Sequence, residues 1–192
     1  MIEVELKSVV DNWDLRRSLV ERAGGRLTVA GRLLDRRYDT PDRTLSGRDH
    51  VLRLRTYETA EGAHAELDWK GPTKKTGGYK RREELGVPIG DAATLATMLE
   101  RLGYQVTTTI DREIAQYELH GTTVRFERYP RLDDLVEVEG TPEGIEQAIA
   151  AMEMPRDGFT TDRLTDFVAR YEARTGRRAA INAMQLSTPG NG

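Results

Sequence analysis

The chain has 192 residues, 29 of them Lys or Arg and 32 Asp or Glu, for a formal net charge of −3. It has no cysteine and three scattered histidines, His50, His64 and His120, which excludes disulfides, thiolate chemistry and cysteine-held metal and argues against a histidine-rich metal site. No apolar run approaches the roughly 20 residues that span a bilayer, the opening MIEVELK has no signal-peptide character, and the balanced charge is not that of a nucleic-acid binder, so a cytoplasmic domain without membrane or nucleic-acid partners is expected.

Ile2 to Lys7 alternates strictly and predicts a strand. Asp11 or Asn12 caps a helix to about Ala23, with Leu15, Leu19 and Val20 on one face and Gly24-Gly25 as its stop. Arg36 to Asp39 reads as a short strand entering the turn Thr40-Pro41-Asp42, where Asp39 and Asp42 are turn formers. Val51 to Glu58 and Ala65 to Lys70 form a hairpin about Glu61-Gly62. Thr73 to Gly78 reads as a mobile loop, with Gly77-Gly78 as a flexible lid. Tyr79 to Ile89 is extended, and Asp91 caps a helix carrying Leu95, Met98, Leu99 and Leu102. Val106 to Ile110, Ile114 to Leu119, Thr123 to Tyr129 and Leu135 to Glu139 are four more strands. Pro142 opens a helix to about Met152, and the last helix spans about Thr161 to Thr175. A single domain is expected over 1–178, with 179–192 a flexible tail. An acidic strand leading into a helix recurs at Glu3-Val4-Glu5 and Glu83-Glu84, and more briefly at Glu137-Val138-Glu139, which reads as an internal duplication.

Alternate residues on a strand share a face. Glu3, Glu5 and Lys7 therefore lie opposite Ile2, Val4 and Leu6, and Arg53 and Arg55 opposite Leu52 and Leu54. Asp68 and Lys70 oppose Leu67 and Trp69, so Trp69 reads as outer packing; Lys80, Arg82 and Glu84 share a face. Arg125 and Glu127 oppose Val124 and Phe126, and Glu137 and Glu139 oppose Val136 and Val138. One such strand is ordinary in a sheet with one wet face. Six together build either an open sheet or a closed barrel with a charged, wet interior. Several strands carry charges of one sign, which favours the barrel. Like charges about 4 Å apart repel by roughly 4 kcal/mol at an effective dielectric near 20, so both signs need an answer. A polyphosphate answers the cations and a hard divalent cation the carboxylates.

The ordered set Glu3-x-Glu5-x-Lys7, Tyr38-Asp39-Thr40-Pro41-Asp42-Arg43-x-Leu45, Leu52-Arg53-Leu54-Arg55, Trp69-Lys70-Gly71-Pro72, Lys80-x-Arg82-x-Glu84 and Glu137-Val138-Glu139 resembles the CYTH superfamily, the triphosphate tunnel metalloenzymes, over about residues 1 to 170. The Asp-Thr-Pro-Asp-Arg and Lys-Gly-Pro elements look closest to the bacterial class IV adenylyl cyclase branch.

The resemblance implies an α+β fold, an eight-stranded antiparallel closed β-barrel with a charged interior and helices packed outside. It implies a metal-dependent enzyme, first a class IV adenylyl cyclase making cyclic AMP and pyrophosphate from ATP, or else a triphosphatase of inorganic triphosphate, thiamine triphosphate or a nucleotide, or a non-catalytic polyphosphate binder. By motif position, Lys7, Arg53, Arg55, Lys70, Lys80, Arg82 and Arg112 would bind the triphosphate, with Lys7 also the catalytic base of a hydrolase. Glu3, Glu5, Glu127, Glu137 and Glu139 would hold or orient Mg²⁺ or Mn²⁺. Glu84 and Arg125 are left between site and structural roles. Family members can be dimeric, so a homodimer is expected by analogy. The chain departs from the family where Ile110 and Ile114 flank Arg112, leaving one cation of a usual pair absent, and where Asp133-Asp134 precede the last acidic pair.

Overall fold

The computed structural model describes residues 2–186. Its strands are β1 (Ile2–Val9), β2 (Arg26–Asp39), β3 (Val51–Thr59), β4 (Gly62–Lys70), β5 (Lys74–Thr76), β6 (Tyr79–Ile89), β7 (Gln105–Leu119), β8 (Thr122–Arg128) and β9 (Leu135–Glu139). The helices are α1 (Trp13–Arg22), α2 (Ala92–Arg101), α3 (Pro142–Ala151) and α4 (Leu164–Thr175). Antiparallel pairing runs β1-β9-β8-β7-β2-β3-β4-β6 and returns to β1, which closes an eight-stranded barrel. β5 is an extra strand on the edge of β6 that β4 leaves open. No helix among the described residues is long and apolar enough to cross a membrane.

Alternation decides which way each strand faces. Val4 and Leu6 point outward and pack with Phe126, Val136 and Val138 beneath Val20 of α1 and Ile145, Ala148 and Ile149 of α3. Each such large side chain contributes about 1.5–3 kcal/mol when fully buried. Glu3 and Glu5 between them are thereby turned inward, where both are buried. α2 does the same for β3 and β4, laying Ala96 and Leu99 on Leu54, Ala65 and Tyr38. Asn12, Asp91 and Thr141 cap α1, α2 and α3 by accepting backbone N–H bonds. α4 packs across one end of the barrel, with Phe167 on Ile110, Tyr129 and Leu135.

The chain repeats one motif, strand, helix and three-strand meander, as β1-α1-β2-β3-β4 and β6-α2-β7-β8-β9. The halves meet along β1–β6, β2–β7, β1–β9 and β4–β6, with Glu3 opposite Arg82 and Leu33 opposite Arg112. Arg53 opposite Asp68 in one half corresponds to Arg125 opposite Glu137 in the other. Lys70 opposite Glu84 corresponds to Glu139 opposite Glu5.

Several elements differ from the sequence reading. The short strand at Arg36 to Asp39 is the end of the 14-residue β2. The two strands about Arg112 are one, β7, because Asp111 faces out to Arg32 (2.7 Å) while Arg112 faces in. The expected mobile loop holds β5, paired to β6, and a tight turn with Gly77 and Gly78 at φ 63° and 82°. The final helix begins at Leu164. Within the stretch expected as a tail, Ala180 N–H donates to Arg131 O at 2.7 Å and Ala179 and Ala180 are buried. The remaining residues of that stretch, 187–192, lie outside the described residues.

Asp39 does more than start a turn. Its carboxylate accepts the backbone N–H groups of Thr40 (2.8 Å), Leu45 (2.9 Å) and Ser46 (2.9 Å) and folds the loop that follows β2. Burial alone would raise its pKa, but the hydrogen bonds from Ser46, Leu45 and Thr40 hold it at about 2, against an ordinary 3.8. A folded value below the unfolded one means that the stabilisation is complete above the ordinary value and is lost as pH falls through about 2. Asp39→Ala is expected to cost about 2 kcal/mol at neutral pH. In urea titrations the gap from the parent should narrow below pH 3.8; a gap independent of pH would contradict the assignment.

Candidate active site in the barrel bore

The bore holds a cavity of about 380 Å³, lined toward one end by Val51, Thr108 and Leu135 together with Leu164, Thr165 and Val168 of α4. Nine Lys and Arg residues and five Asp and Glu residues line it, an excess of four positive charges. A larger groove of about 750 Å³ lies on the outer face beside α1. There Arg32 is answered by Asp111 and Glu58 (3.1 Å), and Arg128 by Asp134 (2.8 Å), so its charge is already balanced by exposed partners. The bore is where charge is concentrated and enclosed.

One wall gathers carboxylates. Oxygens of Glu3, Glu137 and Glu139 lie within 4.8 Å of one another. Glu3 accepts from Lys70 (2.6 Å) through one oxygen, while its Oε2 is buried without a partner. Burial first, then the neighbouring Glu5 charge, push the Glu3 carboxyl up to about 7 against the pull of Lys70. Crowded carboxylates with an orphaned oxygen fit a hard divalent cation, which takes oxygen ligands of this kind. Glu5 is drawn instead to Lys80, and burial is outweighed there by Lys7 and Lys80, so it sits well below the carboxylate range. Glu137 pairs with both Lys7 and Arg125. Burial pushes the Lys7 ammonium down to about 8, with Glu5 and Glu127 opposing.

The other wall gathers guanidinium groups. Arg112 donates to Glu127 (2.9 Å) and Asp35 (3.1 Å). Glu127 also accepts from Arg125 (3.2 Å) and the Tyr129 hydroxyl (2.6 Å). Its burial is outweighed by Arg112 and Arg125, which hold it well below the carboxylate range. Glu127 thus stands among arginines, apart from the three gathered carboxylates. Arg53 binds Asp68 (2.8 Å) and approaches Glu84 (3.5 Å) and Asp35 (3.6 Å). Lys70 binds Glu84 at 3.0 Å as well as Glu3, so Glu84 faces the bore. Arg125 faces inward too. Arg55 sits beneath the cavity, donating to Asp35 (3.1 Å) and the Tyr57 hydroxyl (3.1 Å). Arg82 donates to the carbonyls of Gly71 (2.7 Å) and Asp49 (2.7 Å) and so ties two loops to β6.

Sequence reasoning missed Asp35 and Arg37. Asp35 is 1 % exposed and is shared by Arg53, Arg55 and Arg112. Arg37 lines the cavity, its Nε has no hydrogen-bond partner, and burial followed by the charge of Arg53 pushes it down to about 10. It supplies a further cation from β2 where the β7 partner of Arg112 is Ile110. Inward-facing Arg37 is adjacent to Arg36, so the sequence carries no contrast between them; only the register with Arg53 places it.

A family model for the CYTH domain matches residues 1–157. Among solved structures, a Vibrio parahaemolyticus protein whose name proposes an adenylate cyclase superposes with a TM-score of 0.75 at 19% identity, covering 88% of this chain and 98% of that one. The PH1819 protein of Pyrococcus horikoshii gives 0.70 at 23% identity, over 88% and 98%. Hippeastrum HpAC1, proposed as an adenylyl cyclase and described as having a dominant triphosphatase activity, gives 0.60 at 17% identity, over 92% and 96%. No curated protein matches the chain by sequence.

Proposed function

Because the chain belongs to the CYTH domain family, we propose that it is a metal-dependent enzyme acting on a triphosphate, with the barrel bore as its active site. The observation that carries this reading is a cavity lined by nine cationic and five anionic side chains, one of which, Glu137, gathers with Glu3 and Glu139. Lys7, Arg37, Arg53, Lys70, Lys80 and Arg112 would hold phosphate oxygens, the arginines as forks and the lysines as point charges. Arg55 supports them from below, and Arg82 holds the loops at Gly71 and Asp49. An incoming polyanion exchanges places with the carboxylates that now neutralise these cations. Glu3, Glu137 and Glu139 would hold Mg²⁺ or Mn²⁺. When bound, such an ion polarises phosphoryl oxygens and offsets the charge that develops on them.

Two reactions suit this arrangement. In the first, the ribose 3′-oxygen of ATP attacks the α-phosphorus, the bond to the bridging oxygen breaks, and pyrophosphate leaves as cyclic AMP forms. The motif likeness to class IV cyclases and the name of the Vibrio protein support it. In the second, water attacks the terminal phosphorus and orthophosphate is released. The position of Lys7 beside Glu137, with its pKa drawn to about 8, supports this one, as does the activity described for HpAC1. Incubation with ATP and Mg²⁺ or Mn²⁺ separates them: cyclic AMP with pyrophosphate, or ADP with phosphate. Turnover of no triphosphate in a panel would reject both.

In the hydrolytic reaction Lys7 accepts the proton of water, so it must be neutral and the rate should climb as pH passes about 8. Lys7→Met is expected to lower kcat by about 100-fold and to abolish that climb. An unchanged pH–rate profile would remove Lys7 from the role.

A further inference from the structure

The correspondence between the halves extends to the outside of the barrel. In the matched registers, Leu67 and Trp69 of β4 and Leu85 of β6 stand where Val136 and Val138 of β9 and Leu6 of β1 stand on the other side. Val136, Val138 and Leu6 are 0%, 0% and 1% exposed, because α3 lies over β8, β9 and β1. β4 is followed by β5 in place of a helix, so Leu67 and Trp69 stay half-buried and Leu85 is 55% exposed, with Val87 beside it. The helices repeat the contrast. α1 and α2 begin at the same distance from Glu5 and Glu84, so Arg16, Leu19 and Ala23 match Leu95, Met98 and Leu102. On α1 this face meets α3: Arg16 donates to Met152 O (2.9 Å), and Ala23 lies beside Ala148 and Ala151. Leu19 is buried there, whereas Met98 and Leu102 are 54% and 70% exposed. The barrel thus builds a helix seat on both sides and fills one of them from its own chain. Contiguous exposed apolar surface of this kind marks an interaction site.

We propose that the open seat, floored by Leu85 and Val87 and walled by Met98 and Leu102, receives α2 of a second copy of this chain, in a twofold dimer where each α2 is both wall and occupant. α3 fills its own seat with Ile145, Ala148 and Met152, spaced i, i+3 and i+7. Leu95, Met98 and Leu102 repeat that spacing on a helix of the same ten-residue length. The ends of α2 are complementary as well, with Asp91 as its N-cap and Arg101 in its last turn. Antiparallel α2 helices set Arg101 of each beside Asp91 of the other and oppose their dipoles. A patch that fits its own copy closes a dimer and leaves no further open surface of the same kind. The seat lies on the outside of the barrel and takes no part in the bore.

Sedimentation velocity of the full chain across a concentration series tests this. A monomer–dimer equilibrium with a dissociation constant of about 1–10 μM is expected for an interface resting on a few apolar anchors. Met98→Glu/Leu102→Glu brings like charges together across the twofold axis and should weaken the dimer at least about 100-fold. Both positions are exposed in the single chain, so the melting temperature of the double variant, taken at concentrations where the parent is monomeric, should match that of the parent. Arg101→Glu, also at an exposed position, sets like charges at both ends of the helix pair and should weaken the dimer about fivefold; it keeps the test decisive if the double variant folds poorly. A parent chain that stays monomeric throughout the series would overturn the proposal. Dimers that these variants leave intact would overturn it too, by placing the interface on another face.

Discussion

Replacing Glu139 by alanine is expected to lower metal-dependent turnover by more than about 100-fold while the barrel stays folded. Glu139 ends β9, half-buried, directly opposite Glu5 in the β1–β9 register. It belongs to a set of carboxylates that burial and mutual repulsion already make uncomfortable, as the raised Glu3 carboxyl records. Taking one charge away relieves that repulsion, so the melting temperature without metal should hold or rise. The loss belongs to the metal: titration with Mn²⁺ should show weaker binding, and stabilisation by metal should shrink. Unchanged Mn²⁺ binding together with retained activity would take Glu139 out of the metal set.

Asp35→Asn makes the opposite expectation for stability. The parent carboxylate is shared among Arg53, Arg55 and Arg112, and burial is outweighed by Arg112, Arg55 and Arg53 in holding it well below the carboxylate range. Neutralising it leaves buried guanidinium groups facing one another, a change of the kind that costs about 3–5 kcal/mol. Urea denaturation should report that loss. Inorganic triphosphate should recover more stability in the variant than in the parent, because phosphate oxygens replace the missing carboxylate at Arg53 and Arg112. A destabilised variant that triphosphate does not rescue would separate Asp35 from the anion site, and a variant as stable as the parent would show that the three arginines need no internal counter-charge.

The strands that were legible share one property. Over Glu3 to Lys7, Arg53 to Arg55, Arg125 to Glu127 and Glu137 to Glu139 the inward residues are charged and the outward ones between them apolar, so a period of two is visible in residue type. In β2 and β7 the inward face turns from charged to apolar at Leu33 and Ile114, next to outward Leu34 and Ala115. The backbone period continues there, but the contrast that reveals it vanishes, and both strands were read short. Residues 179–186 show no period because backbone bonds, such as Ala180 with Arg131, hold them. Which carboxylate takes which cation was also beyond the sequence. Lys70 reaches Glu3 on β1, two strands away around the barrel, and only closure brings them together.

The repeated halves carry a last implication. Their strands follow the same order, yet where the first strand of one half sets Glu5 against Glu139, the first strand of the other sets Glu84 against Lys70. Glu3 stares at Arg82 across the seam that would otherwise be an axis of symmetry. A container with two matching sides could not tell the head of a phosphate chain from its tail. Here the mismatch between the sides supplies the sense of direction, because a guest with unlike ends is graded differently by each.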